Sequence, residues 1–290
     1  MGTHKSLTPC KKKGAGMYDI VCSLVMFKND KSMLAAAINS FLETDLNVKL
    51  ILIDNSPTDE LRALKIHEKV DYIFNPSNPG FGAAHNIAIK MAIKEGASYH
   101  LVLNPDVYFK SGVLEELVSY MTDHPEIGNI MPKVLYPNGE VQYLCKLLPT
   151  PYDWIGRRFS PFKKAVEKRN NLFELRFTNY DKVMEVPYLS GCFMFLSVNA
   201  LKKVGFFDEG IFMYGEETDL CRRLIDGGYK TVFYPMVNIY HHFEKGSHKS
   251  WRLTKIGMQS AIYYFNKWGW FFDKRRKEIN KDALKNLVTR

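Results

Sequence analysis

Residues 18–27 (YDIVCSLVMF) form a short apolar run rich in Val and Ile, the pattern of a strand buried on both faces of a parallel sheet. Apolar positions then recur at helical spacing (Leu34, Ala37, Ile38, Phe41, Leu42), so a helix is predicted over 32–42. A second strand at 48–53 ends in Asp54-Asn55-Ser56, 58–68 reads as a helix, and 71–74 reads as a third short strand. Asn78-Pro79-Gly80-Phe81-Gly82 opens a helix over 83–94, and a fourth strand at 99–103 stops at Asn104-Pro105-Asp106, ahead of a helix over 113–121. Four alternations of strand and helix with short connections predict an α/β protein with a doubly wound parallel sheet. In such sheets the ligand crevice lies beyond the C-terminal strand ends, where Asp54, Asn78 and Asp106 all fall.

The second half is patterned differently. Residues 137–185 carry several prolines, many basic side chains and weak periodicity, and are expected to be a loop-rich insertion. A strand or strand pair is predicted over 185–198, and a helix over 216–226 with Leu220, Leu224 and Ile225 inward, stopped by Gly227-Gly228. A strand over 230–240 follows and ends in His241-His242, whose side chains should point to opposite faces. A helical segment with an aromatic cluster closes the chain over 252–283. Residues 1–16 lack periodicity and are expected to be a disordered or artificially appended leader. The expected organisation is that leader, a main domain over 17–250 with the insertion at 137–185, and an aromatic and basic tail over 251–290.

Charge adds a preference for partners. The net charge of +9 is concentrated at Lys11 to Lys13, in 157–169 and in 267–285, which favours anionic partners such as nucleotide phosphates or acidic membrane surfaces. The five cysteines are scattered with no CxxC pair, which argues against a disulfide framework or zinc site and fits a reducing cytoplasm. No apolar core of a signal peptide occurs in residues 1–16, and the longest apolar stretch, 186–198, is too short to span a bilayer. A cytoplasmic location is expected.

Four clusters carry candidate chemistry. Asn104-Pro105-Asp106 places a carboxylate at a buried strand end, suited to a Mg²⁺ or Mn²⁺ that a diphosphate also binds, although the same triplet is ordinary turn chemistry. Gly80-Phe81-Gly82 precedes a helix whose amides could face phosphate, but it follows the third strand rather than the first, and glycines serving a tight turn are the better account. Glu216, Glu217 and Asp219 begin a helix, where they favour its dipole or, alternatively, offer a general base to an attacking hydroxyl. One of the two histidines at 241–242 could ligate metal as neutral imidazole.

Taken in order, five stretches resemble the family 2 glycosyltransferases of GT-A fold, especially their bacterial rhamnosyltransferase-like branch: IVCSLVMFKN, ILIDNSPTD, NPGFGAAHNIAI, LVLNPDV and the long run from Ser190 to His242. The resemblance covers roughly 18–270. It implies that Asp54 bonds the donor's nucleobase, that Asn78, Gly80 and Asn86 line the nucleotide pocket, and that Asn104 and Asp106 occupy the DxD position. Asp106 and His241 would then ligate a divalent metal, Mg²⁺ or Mn²⁺. Glu217 takes the catalytic-base position, with Glu216 and Asp219 as rivals. The implied reaction is inverting transfer of a sugar, rhamnose from dTDP-rhamnose above all, to a glycan or polyprenyl-pyrophosphate-linked acceptor in cell-surface polysaccharide synthesis. Peripheral contact with the inner face of the membrane through 262–277 would suit such an acceptor. Two departures matter: Asn104 stands where the first acid of the DxD motif is expected, and Glu217 is a methylene longer than the usual aspartate. A binding-only protein with degenerate chemistry is the alternative reading. A nucleic-acid binder would leave the acidic crevice residues unexplained, and a nicotinamide enzyme needs its glycines after the first strand.

Overall fold

The computed structural model describes residues 17–157, 160–242 and 250–288, so the expected leader at 1–16 lies outside the described residues. In chain order the strands are β1 (Ile20–Met26), β2 (Val48–Asp54), β3 (Val70–Phe74), β4 (Tyr99–Leu103), β5 (Val107–Phe109), β6 (Ile127–Leu135), β7 (Cys145–Lys146), β8 (Met184–Glu185), β9 (Tyr188–Leu189), β10 (Phe193–Ser197) and β11 (Lys230–His241). The helices are α1 (Lys31–Leu42), α2 (Phe81–Lys94), α3 (Val113–Asp123), α4 (Lys163–Phe173), α5 (Val198–Val204), α6 (Glu216–Asp226), α7 (Trp251–Trp268) and α8 (Lys274–Val288).

Alternation along β1 decides the layering. Ile20, Cys22, Leu24 and Met26 join the large core with Leu34, Ala37, Ile38 and Phe41 of α1, whereas Val21 packs with Ala84, Ala88 and Ala92 of α2 on the other face. α1 starts where Asp30 accepts the backbone N–H groups of Ser32 and Met33. Ser23 shares the α2 face and contacts two fully buried imidazoles, His85 Nδ1 at 2.6 Å and His100 Nε2 at 2.8 Å. Burial keeps both rings neutral, with His85 well below its ordinary pKa and His100 down to about 3.

The strands β3-β2-β1-β4 are all parallel, and with helices on both faces they form a Rossmann-like half. Beyond β4 the sheet continues as β10-β6-β11-β5. There β10 runs antiparallel to both neighbours while β6 and β11 run parallel, so the α/β sheet becomes mixed. β7 and β9 form a separate antiparallel ribbon.

Four elements differ from the sequence expectation. The helix expected over 58–68 is only a 3₁₀ segment, Glu60–Leu64, because Leu61 alone is buried there and no apolar stripe offsets the cost of helix nucleation. β6 was hidden by Asn129 and Pro132 inside an otherwise buried run. The segment expected to be a loop-rich insertion, 137–185, includes α4 and sends Cys145, Leu147, Phe173, Leu175 and Tyr180 into the main core. The Tyr180 hydroxyl accepts from the Cys145 N–H (2.9 Å) and donates to the Glu174 carbonyl (2.7 Å). The last helical segment divides at Gly269, whose φ of 103° is open to glycine at little cost, giving α7 and α8.

The aromatic cluster of the tail also divides. Tyr264 and Phe265 are buried with Trp154, Trp268 and Trp270, whereas Trp251, Phe271 and Phe272 stand exposed. Among the described residues no helix is long and apolar enough to cross a membrane.

Candidate functional site

Two groups of side chains face each other across the Ser190-Gly191-Cys192 backbone. The first lies at the strand ends. Asp106 follows β4, and its carboxylate is 3.3 Å from His241 Nε2 at the end of β11. The backbone N–H of His242 donates to the Asp106 carbonyl (2.9 Å), which fixes the two elements together. Gln142 holds the other side of the imidazole, with its Oε1 2.9 Å from His241 Nδ1 and its amide nitrogen donating to the His241 carbonyl (2.8 Å). Burial pulls the basicity of His241 down, but Cys192 and Asp106 outweigh it and carry the pKa up to about 10. Asn104 donates its backbone N–H to the Cys192 carbonyl (3.0 Å), and its buried side-chain oxygen has no partner among the described residues. The expected opposite facing of the two histidines holds: His241 is buried and His242 is exposed beside Tyr108.

The second group lies at the start of α6. Glu217 accepts from the Tyr188 hydroxyl (2.9 Å) and from the Gly215 N–H (2.8 Å). It opens into a cleft of about 290 Å³ whose walls include Lys146, Trp154, Tyr188, Tyr214 and Met258. A Cβ built at Gly191 would rest 3.5 Å from the Glu217 Cβ, an ordinary contact. Gly191 thus backs Glu217, while the next residue, Cys192, holds Asn104. The carboxylate and the metal-type ligands are joined through two residues of backbone.

The neighbouring acids do different things. Glu216 is buried on the α2 side, where its Cβ lies 3.5 Å from a Cβ built at Gly82, and one of its oxygens has no partner. Burial, and then the charge of Glu217, push its pKa well above the carboxylate range. Asp219 is fully buried and accepts from Arg223 Nε (2.8 Å) and Trp268 Nε1 (2.8 Å), with Lys267 Nζ also at 2.8 Å. Neither side chain lines the cleft that Glu217 lines, and Asp219 ties α6 to α7.

Three residues expected to contact the nucleotide have partners within the protein. Asp54 has no exposed surface, and its oxygens accept from Ser56 N–H (2.9 Å) and Tyr72 Oη (2.6 Å), so it supports the strand-end loop from beneath. Asn86 donates to the Phe207 carbonyl (2.9 Å) and accepts from the Phe207 N–H (3.0 Å). Gly80 lies under Phe212, whose carbonyl oxygen a Cβ would overlap, and Phe81 donates its N–H to that carbonyl (2.8 Å). Gly82 is equally confined, since a Cβ there would come to 2.8 Å of Phe207 Cβ. The glycines admit the 207–212 loop, and no phosphate cradle is left at the Phe81 amide. Asn78, with φ of 43°, accepts from Asn55 Nδ2 (3.3 Å) at the crevice rim.

Sequence reasoning missed Gln142, Tyr188, Gly215 and Lys146. Only Gly215, directly ahead of the acidic helix start, gave a usable signal. Its φ is 104°, and a Cβ there would overlap the Trp154 ring. Gly215→Ala is expected to destabilise the protein by about 1–3 kcal/mol and to lose turnover disproportionately, since the same amide holds Glu217. Chemical denaturation measured beside initial rates checks both.

The family described as Glycosyl transferase family 2 matches residues 23–205, well over half of the chain. The low-salt glycan biosynthesis hexosyltransferase Agl10 of Haloferax volcanii is 24% identical over 215 residues, 74% of this chain and 64% of that protein. This chain thus spans less than two thirds of that relative's length. The N-acetylglucosaminyl-diphospho-decaprenol L-rhamnosyltransferase of Mycobacterium tuberculosis is 28% identical over 69% of this chain and 68% of its own. The rhamnosyltransferase WbbL of Escherichia coli K12 is 27% identical over 68% of this chain and 74% of its own. Among solved structures, GalNAc-T7 with UDP, GalNAc and Mn²⁺ superposes at a TM-score of 0.58 and 16% identity, covering 78% of this chain and 43% of that one, a likeness of fold. The mixed sheet with its Rossmann-like half is the GT-A arrangement, and the chain belongs to glycosyl transferase family 2.

Proposed function

We propose that this protein transfers a sugar from a nucleoside diphosphate to an acceptor hydroxyl, with inversion, using Glu217 as the general base. One observation carries the reading: Glu217 is held by two donors at a cleft wall and is backed by the same short backbone that fixes Asn104 beside Asp106 and His241. Donor and acceptor chemistry would then meet across Gly191.

The residues fit a divalent metal. A carboxylate, an imidazole and the unpartnered Asn104 oxygen suit Mg²⁺ or Mn²⁺. Among the described residues no three His, Cys, Asp or Glu side chains gather, so Asp106 and His241 would hold the ion with the substrate's own phosphates. Bound there, it supplies neutralisation of charge on the departing diphosphate. Glu217 takes the proton of the attacking hydroxyl at a carboxylate oxygen, and Tyr188 at Oε1 and Gly215 at Oε2 hold the carboxylate in place. Asp153, the other carboxylate on the cleft wall, is tied to Arg169 by two hydrogen bonds and to Thr150, so among the described residues lining the cleft no second free carboxylate is left to form a covalent intermediate. That arrangement favours a single displacement and therefore inversion.

The relatives' names support rhamnose as the sugar transferred and a lipid-linked acceptor, and with these we propose dTDP-rhamnose as the donor and a glycan of the cell surface as the product. Trp251, Phe271 and Phe272 are exposed near Arg252, Lys274 and Lys277, which supports peripheral contact with an anionic membrane from the cytoplasmic side. Residues 17–250 would serve as the transferase unit, and α7 of the 251–290 tail adds a wall of the acceptor cleft. Titration with UDP and dTDP in the presence and absence of Mn²⁺ tests the donor site. Asp106→Ala is expected to lose at least about tenfold in Mn²⁺-dependent nucleotide affinity. Equal binding by the wild type with and without Mn²⁺ would remove the metal from the reading. The alternative, a binding-only protein, predicts the same titration without acceptor-dependent release of nucleoside diphosphate.

A further inference from the structure

The cleft beside Glu217 contains a cation that the proposed reaction does not use. Lys146 pairs across the β7–β9 ribbon with Tyr188, and its ammonium lies 5.6 Å over the Tyr188 ring. Tyr188 in turn donates to Glu217, so Lys146, Tyr188 and Glu217 stand in order on one wall. The acids around Lys146 are bonded elsewhere. Glu174 is 2.5 Å from Arg176 and 3.7 Å from Arg157, and Glu217 is held by Tyr188 and Gly215. The other cation on the wall, Arg157, is also committed, donating to the Asp153 carbonyl (2.7 Å) and the Asn170 amide oxygen (2.5 Å). Among the described residues none gives the Lys146 ammonium an ion pair or hydrogen bond; the Tyr188 ring is its contact. Burial lowers its pKa and the nearby charges of Glu174 and Glu217 only partly offset this, while the half-buried side chain remains open to the cleft. An ammonium placed there without a hydrogen-bonded partner is available to a bound anion. The surrounding walls, Trp154, Tyr188 and Tyr214, offer aromatic faces of the kind that pack on sugar rings.

We infer that the acceptor carries an anionic group, phosphoryl or carboxylate, next to the sugar that is glycosylated, and that Lys146 binds it. This assignment rests on the proposed reading of Glu217 and sets the acceptor class for the same site. Lys146 acts as a point charge that holds the acceptor while Glu217 deprotonates it, so its contribution falls on acceptor affinity rather than on the donor.

The test uses the whole chain with the donor site filled first. Titration with UDP or dTDP and Mn²⁺ reports on that site alone, so a failed donor site is distinguished from a failed Lys146 assignment. In the nucleotide-saturated protein, binding of glucose 1-phosphate, methyl glucuronide and methyl glucoside is then followed through Trp154 fluorescence or ligand-observed NMR. The wild type is expected to favour one of the two anionic sugars over the neutral one, and whichever binds identifies phosphoryl or carboxylate as the source of the charge. Lys146→Met is expected to weaken that binding by at least about tenfold and leave the neutral glycoside and the nucleotide unchanged, while Lys146→Arg retains it. Absence of any anion preference in the wild type overturns the inference. So does an equal loss of neutral and anionic sugar in Lys146→Met, which would make Lys146 a packing residue.

Discussion

Glu217→Gln is expected to lower the turnover rate by about 10²–10⁴-fold, the usual contribution of a positioned general base, while leaving nucleotide affinity unchanged. The amide keeps the side chain's size but cannot take a proton from the acceptor. Glu216→Gln is the matched control. Its carboxyl is buried away from the cleft, and burial together with the charge of Glu217 raises its pKa, so the isosteric amide should leave activity within a few-fold. Asp219→Asn is expected to lose stability first, because it weakens a network that includes Arg223, Lys267 and Trp268. Initial rates and denaturation curves for all three variants separate the roles. A large rate loss in Glu216→Gln with activity retained in Glu217→Gln would move the base to the buried acid.

The largest effect on stability is expected at Asp273. Its two oxygens accept from Arg222 at 2.5 and 2.9 Å, both side chains are 3% exposed, and the guanidinium lies 4.3 Å from the Trp268 ring centroid. Asp273→Ala leaves Arg222 charged and buried without its partner, at a cost of about 3–5 kcal/mol. Replacing both, as Arg222→Met with Asp273→Leu, should recover much of that loss, because the desolvation of both charges disappears with them. Burial raises the Asp273 pKa, but the hydrogen bonds from Arg222 and the Arg276 N–H outweigh it and hold the carboxyl below its usual range. A carboxyl depressed in the folded state stabilises the protein above its unfolded pKa of about 4, and that contribution fades as pH falls through the lower folded value. The wild type should therefore hold this contribution across neutral pH and lose it only in acid. Asp273→Ala should show a shallower acid decline in thermal denaturation.

Period-2 and period-3.6 patterns gave the parallel half in outline because each of its elements buries one clear face. The same patterns failed at 58–68, where helix-forming residues have no core to meet, and at β6, where Pro132 interrupts a run that is nonetheless buried. In the site, Asp106 and His241 were legible as strand-end residues, and the structure brings them within 3.3 Å. The choice among Glu216, Glu217 and Asp219 was not legible, because successive helical positions differ by about 100° and only the seating of α6 says which one faces the cleft. The contacts that Asp54, Gly80 and Asn86 make within the protein were not legible for a related reason. Their partners, Tyr72, Phe212 and Phe207, lie 18 to more than 100 residues away, and nothing local announces them.

The loop over 207–215 leaves little room for variation. A side chain at Gly80, Gly82 or Gly215 would strike Phe212, Phe207 or Trp154, and one at Gly210 would strike Tyr263. Insertions or bulkier residues along this loop should therefore be purged, whatever acceptor the protein serves. The Tyr136–Glu140 turn is sterically more open: a Cβ at Gly139 meets nothing within 4 Å, and only the backbone, with φ of 88°, favours glycine there. Divergence towards new acceptors is thus expected to enter through the strand-and-turn segment that carries Lys146 and through α7, the walls that can drift while the base and the strand-end ligands stay in register.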